Sequence, residues 1–404
     1  MTTSRDRVMQ TLNFKTPDRL PKDMGGMRST SISAFAYPKL VVALSLPYRP
    51  PRVEDTGQML ALPDLDVLDA LGCDVVAILD GVTNAFEQPD LWQPYDFNGR
   101  LPACVRWPNN FQVQPDSSIL QWGKSRMVES SYVFDEEHGG QPLDLSANLP
   151  KLDLEVHRKE MKASVLRDEQ VIVLRDLCQR VRASSDRAIF FNDGAIQAPM
   201  GMGAYSGLAI FSMLCLTEPD YVTELHDIAV ERTLVNIRAL LPEIRENIDI
   251  IMLVADDWGT QSNLIASPKV YRQLFLPYYR RLNDECHRIA PNVKLFMHSC
   301  GAIYNLIDLV VDSGFDILNP VQWPAGGHTY QEWKNKARGR IALWGGGVNS
   351  QETLPLGAVE DVRREVRAVT AYLKQDDGYV FCNVHNILAE IAPEKVIAMY
   401  QQAV

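Results

Sequence analysis

No stretch of the 404-residue chain approaches the ~20 consecutive apolar residues that a membrane-spanning helix requires. Basic side chains are also in deficit. Lys and Arg number 40 against 51 Asp and Glu, a formal charge of −11. That balance disfavours a nucleic-acid binder, whose footprint is a basic face. The opening residues, MTTSRDRVMQTLNF, lack the apolar core of a signal peptide. They read as a short amphipathic helix, with Val8, Met9, Leu12 and Phe14 apolar. Low-complexity tracts and short internal repeats are missing. The seven cysteines, at 73, 104, 178, 215, 286, 300 and 382, are odd in number and widely spaced. They do not form the pattern of a disulfide framework. These absences together predict a cytoplasmic protein under reducing conditions, in which a cysteine close to a histidine is a candidate metal ligand. What is present is an ordinary globular composition, 46% hydrophobic and 23% charged, enough for a large core.

The recurring feature is β-then-α alternation. Short apolar runs end at small or polar residues, and helical patterns follow. Candidate strands are RLPKDMGG (19–26, the weakest), CDVVAILDG (73–81), AIFFNDG (188–194) and IDIIMLVADD (248–257). Then come VKLFMHSCG (293–301), FDILNPVQ (315–322), IALWGGG (341–347) and YVFCNVHN (379–386). Most are apolar throughout, as parallel strands covered on both faces should be. Between them, Ser267 reads as a helix N-cap with Pro268 in the first turn. Gly314 reads as a helix stop. Val362, Val366, Val369 and Leu373 fall at helical spacing. Eight β/α units predict an α/β fold of the (β/α)8 TIM-barrel type, as a single domain over 1–404. A doubly wound open sheet is the rival, but no strand is followed by a Gly-rich dinucleotide fingerprint. Residues 82–187 break the alternation. LPACVRWPNNFQVQ and SILQWGKSRMVESSYVF look like antiparallel strands, so this segment reads as an inserted hairpin/helix region after the second strand, covering one mouth of the barrel.

Barrel enzymes carry their chemistry at the C-terminal ends of the strands. There the run KLFMHSCGAI places His298 and Cys300 two residues apart, on one face of an extended strand. A His/thiolate pair suits zinc. The plainer alternative is a hydrogen-bonded histidine beside a small buried cysteine. The last strand brings Cys382 and His385 toward the same mouth. A third strand end, VADDWGTQ, offers Asp256 and Asp257, followed by Gln261. One acid facing the mouth would serve as metal partner or general base, and the other would cap a turn. Trp258, Trp323, Trp333 and Trp344 lie near strand ends, where they either pack or stack on a flat ligand.

These segments, taken in order, resemble the uroporphyrinogen decarboxylase superfamily, in particular its methyltransferase-like branch. The resemblance runs from RDRVMQTLNFKTPDRLP through DDWGTQ, HSCGAIYNLI, GFDILNPVQ and WGGGVNSQETLPLG to VHNILAEIAPEKVIAMY. It implies a (β/α) barrel with the site at the strand C-termini. Decarboxylases of the family bind a porphyrinogen carrying carboxylates and use no metal. Their N-terminal signature holds two arginines, whereas KDMGGMRSTSIS here has Arg28 alone, and Asp80 falls where they keep an aspartate. The corrinoid-linked methyltransferases of the family bind zinc through His-x-Cys and a cysteine of the last strand. His298 and Cys300 match that pair. His385, not Cys382, aligns on the last cysteine, so either residue completes the set. The resemblance therefore implies zinc, a small methylated substrate with a methoxy group as the expected donor, and a cobalamin carried by a separate corrinoid protein, since no D-x-H-x-x-G motif is present. It places Arg28 and Asp80 in substrate binding. Of the acidic pair, Asp257 is the candidate catalytic residue, because Gly259 and Thr260 let the following loop fold back and present it with Gln261, a candidate substrate-binding residue. A tetrapyrrole decarboxylase and a catalytically silent binding barrel are the alternatives. The sequence leaves a homodimer open.

Overall fold

Seven of the apolar runs form one curled sheet. In chain order its parallel strands are β1 (Val75–Leu79), β2 (Ala188–Asn192), β3 (Ile250–Ala255), β4 (Lys294–His298), β5 (Ile317–Asn319), β6 (Ala342–Trp344) and β7 (Tyr379–Val380). Each pairs in parallel with the next, and a two-residue antiparallel strand, Thr83–Asn84, lies beside β1. The computed structural model describes residues 2–86, 88–135, 151–202 and 207–404. Burial explains the unbroken apolar character of the strands. Every residue of β1 and β2 is buried, because one face meets surrounding helices and the other meets the interior of the curl. The architecture is TIM-barrel-like.

The expected first strand, 19–26, is not one. It makes a single bridge, Lys22 to Phe381. The Phe381 N–H donates to the Pro21 carbonyl and the Asp23 N–H donates to the Phe381 carbonyl, both at 2.9 Å. On the other side the Asp74 N–H donates to the Lys22 carbonyl at 2.8 Å. The segment therefore touches both ends of the sheet without being a ladder strand. Pro21 has no N–H to give, and the Lys22 N–H goes to the Asp74 carboxylate at 3.0 Å. Gly25 then turns away with φ +80.

The interior of the curl is filled by Val75, Phe190, Met252, Phe296, Trp344 and their neighbours, with Val8 and Leu12 of helix α1 (Ser4–Leu12) beneath them. Phe190 lies 4.7 Å from Phe296 and 6.1 Å from Trp344, ring centre to ring centre. Two buried carboxylates at the strand N-termini hold α1 there. Asp74 takes Arg7 and Arg19, each at 2.7 Å, and Asp249 takes Arg5 at 2.7 Å and Arg182 at 2.5 Å. Helix α1 thus covers the N-terminal end of the sheet.

Two helix signals read from the sequence are present in the structure. The Ser267 side chain accepts from the Val270 N–H, and Gly314 sits at φ +87 after a helix ending at Asp312. Val362, Val366, Val369 and Leu373 are fully buried on helix α2 (Val359–Leu373). Between β1 and β2 lie a hairpin (Gln93–Asp96 with Pro102–Val105) and a three-stranded antiparallel sheet (Phe111–Val113, Ile119–Gln121, Ser125–Met127). Helices Leu154–Ala163 and Asp168–Ser184 follow. Residue 87 and residues 136–150 of the segment expected as an insertion lie outside the described residues. No helix among the described residues is long and apolar enough to cross a membrane.

Candidate metal centre

The ends of β3 and β4 are locked together backbone to backbone. The Gly259 N–H donates to the Cys300 carbonyl at 3.1 Å, and the Ala302 N–H donates to the Thr260 carbonyl at 2.9 Å. The Trp258 N–H meets Ser299 Oγ at 3.1 Å. Gly301 has φ +86, and a Cβ there would sit inside the backbone of Gly259. A Gly301→Ala variant therefore faces both a left-handed backbone and a backbone clash that no side-chain rotation relieves. The expected result is a melting temperature lowered by several degrees, together with loss of the loop geometry that carries Cys300. Thermal denaturation followed by circular dichroism reads the first.

On this platform stand His298, Cys300 and His385, whose donor atoms all lie within 4.8 Å of one another. The Cys300 Sγ is 3.1 Å from His298 Nε2, and the two imidazole centres are 5.9 Å apart. Asn319, at the end of β5, sets the histidine tautomer. Its Nδ2 donates to the Trp344 carbonyl at 2.9 Å, and a carbonyl only accepts. Its Oδ1 is thereby left facing His298 Nδ1 at 2.6 Å, so Nδ1 carries the proton and Nε2 presents a lone pair toward Cys300. Burial, reinforced by repulsion from His385, lowers the His298 pKa to about 4, so the ring is neutral at neutral pH. Burial and then the Asp257 charge push the Cys300 thiol up. Without an ion the thiol donates to Nε2.

The donor set fits zinc. Two imidazoles and one sulfur converge, one ring has its far nitrogen anchored, and a fourth position is left over. Bonds of ~2.0 and ~2.3 Å put tetrahedral ligands roughly 3.3–3.8 Å apart, so side-chain adjustments of about an ångström would close the set.

Of the two candidates for the third donor, the structure brings only His385 to the pair. Cys382 is fully buried in the interior of the curl, below the mouth, where its Sγ donates to the Asn383 carbonyl at 3.2 Å. The two acids also separate. Asp257 is half-exposed, with Oδ1 accepting from the Cys300 N–H at 2.9 Å and lying 3.8 Å from His298 Nε2. Asp256 is buried. It accepts from the Met202 N–H and from the Tyr279 hydroxyl, the latter at 3.0 Å. Burial raises its pKa to about 7.

A cavity of about 830 Å³ opens over the group, lined among others by Arg28, Ser29, Asp80, Arg232, Asp257 and both histidines. Arg28 and Asp80 pair with each other at 2.5 Å, and Arg28 also holds Glu54 at 2.7 Å and Asp55 at 3.5 Å. Gln261 stands apart from this lining, its amide bonded to that of Gln351 at 2.8 Å. Trp258, Trp333 and Trp344 are fully buried, and the Trp323 Nε1 donates to the Gly346 carbonyl at 2.9 Å. None of the four lines the cavity. Sequence reasoning missed Ser29, whose Oγ is 3.3 Å from His298 Nε2, and Asn319. The available signal for Asn319 was a polar residue ending an otherwise apolar buried strand.

Residues 150–403 match the family model described as Uroporphyrinogen decarboxylase (URO-D). The uroporphyrinogen decarboxylase of Syntrophotalea carbinolica is 27% identical over 198 residues, 48% of this chain and 51% of that protein. That of Legionella pneumophila (strain Corby) is 24% identical over 164 residues, 40% of this chain and 42% of that protein. The chain thus spans about half the length of the curated relatives it matches. In fold, it is similar over its whole length to a methyltransferase from Methanosarcina mazei, with TM-score 0.55, 15% identity and 98% of that chain covered. With its family model matched over well more than half of its residues, the chain belongs to the uroporphyrinogen decarboxylase (URO-D) family.

Proposed function

We propose that this protein is a zinc-dependent methyltransferase that moves a methyl group from a small methoxy compound to a cobalamin held by a partner corrinoid protein. The observation that carries the reading is the His298–Cys300–His385 group beneath an open cavity. Similarity of fold to a methyltransferase over the full chain supports it. The cavity is poorly suited to a porphyrinogen bearing several carboxylates. Arg28 is already matched by three carboxylates, and Arg232 donates to the Gly194 and Ala195 carbonyls.

His298, held by Asn319, and His385 offer neutral nitrogen donors. Cys300 gives up its proton on ligation, which makes metal binding pH-dependent. Zinc, when bound, would supply Lewis-acid polarisation of the methoxy oxygen, which is left as an alkoxide or phenoxide once the methyl group goes to the acceptor. Asp257 is the group that orients a substrate hydroxyl beside it, and the cavity wall aligns the methyl carbon with the acceptor.

The test uses zinc-loaded protein, 2-methoxyphenol as donor and reduced cobalamin, free or protein-bound, as acceptor. Absorbance should report methylcobalamin forming only when protein, donor and acceptor are all present. Demethylation with no acceptor, or conversion of uroporphyrinogen, would sink the reading.

A further inference from the structure

A second cavity of about 530 Å³ adjoins the first and shares Arg28 and Asp80 with it. Its walls include Trp107 and Trp122, which are 56% and 57% exposed. Exposed indoles are ordinary singly. Two lining one chamber beside the metal group call for a reason. They are tied to one turn: the Asn110 N–H donates to the Trp107 carbonyl at 3.1 Å, and the Trp122 N–H donates to the Asn110 carbonyl at 2.9 Å. Beneath them Phe97, Phe111 and Phe134 pack at 5.2–6.5 Å between ring centres, making a firm base.

The backbone at Trp122 is a second and independent observation. The Lys124 N–H closes a turn onto the Gln121 carbonyl at 3.0 Å. Both central residues, Trp122 (φ 50) and Gly123 (φ 70), are left-handed. This geometry favours Asn-Gly and disfavours a bulky side chain. A tryptophan here has a local conformational cost, and its exposed indole recovers little by burial. Such costs gather at ligand sites.

The charge of the chamber narrows the ligand. Arg28 and Arg106 face Glu54, Asp55 and Asp80, and Arg106 lies 3.7 Å from Asp80. The Arg106 guanidinium also stacks on Trp107, 4.5 Å from the ring centre. Both cations are engaged, and carboxylates are in excess by one. A carboxylate-bearing ligand finds no available partner there, while a neutral or cationic ring finds flat aromatic walls.

We infer that the Trp107–Trp122 chamber is an aromatic subsite, which holds the ring of a neutral or cationic methylated substrate while its methyl group reaches the neighbouring cavity across Arg28 and Asp80. The inference rests on the methyl-transfer reading for the group transferred, but not for ring binding.

Equilibrium dialysis on the zinc-free Cys300→Ser protein separates the two. The probes are 2-methoxyphenol, 4-methoxybenzoate and ring-free 2-methoxyethanol. The phenol should bind at least about tenfold more tightly than either of the others. Trp107→Ala and Trp122→Ala should each weaken it about tenfold, the scale of a lost stacking partner. Trp122→Asn is the deciding variant: it should lose ring binding while its melting temperature holds or rises, because Asn suits the turn. Phenol binding unchanged in both alanine variants overturns the subsite, whatever the methyl-transfer assay shows. A Trp122→Asn protein that melts several degrees lower with binding intact does the same, by making Trp122 a structural residue.

Discussion

Cys300→Ser and His298→Ala proteins will purify folded but without the roughly one zinc per chain expected of the wild type. His385→Ala will lose zinc as well, whereas Cys382→Ser will keep it. The asymmetry follows from position. Cys382 is a fully buried part of the sheet interior, so its replacement disturbs packing and not the donor group. The fold should survive loss of the ion, because a chain of this size has an extensive core independent of one metal site. Asn319→Ala, which frees the His298 tautomer, should weaken zinc by roughly 10–100-fold while leaving all three donors in place. Metal analysis and competition with a chromophoric chelator read these outcomes. Stoichiometric zinc in both Cys300→Ser and His298→Ala would remove the centre from consideration.

Asp257→Asn should cut turnover by ~100-fold or more, the usual scale for a positioned acid or base, with little change in melting temperature. Its carboxylate is half-exposed, so removing the charge exposes no unpaired core group. Asp256 differs in kind. Its buried carboxyl accepts from Met202 and Tyr279, and Asp256→Ala strands both donors, which should lower the melting temperature by several degrees.

A pH series separates the two acids further. Burial raises the Asp256 pKa from 3.8 to about 7, so between those values the folded state holds a proton that the unfolded state releases. The stability linked to this group is intact below about pH 4 and is lost as pH rises through about 7. Asp256→Asn has no proton to lose at this position. Its melting temperature should therefore fall less than that of the wild type between pH 5 and pH 8. Parallel slopes for the two proteins would show that Asp256 does not titrate in that window.

Seven strands could be read in the sequence because each is buried on both faces, and that burial forces an unbroken apolar run such as VVAIL or AIFFN. The eighth failed because its hydrogen bonds run through a proline carbonyl and an aspartate side chain, which leave no apolar periodicity. His298 and Cys300 were legible because a two-residue spacing on a strand already implies a shared face. The third donor was not. The family alignment favours His385 over Cys382 only slightly, and it is the path of the chain after β7 that keeps the cysteine in the interior and carries the histidine to the mouth. Ser29 was invisible for a related reason: it meets His298 across 269 residues of chain. The tryptophans show the same limit. Aromatic residues near strand ends drew attention in the sequence, yet three of the four are sealed in the core, while Trp107 and Trp122 stand open on loops. Local periodicity and spacing determined the strands and the shared face of His298 and Cys300. Which distant side chains complete the site depends on how the strand ends are brought together, and that was decided by tertiary packing alone.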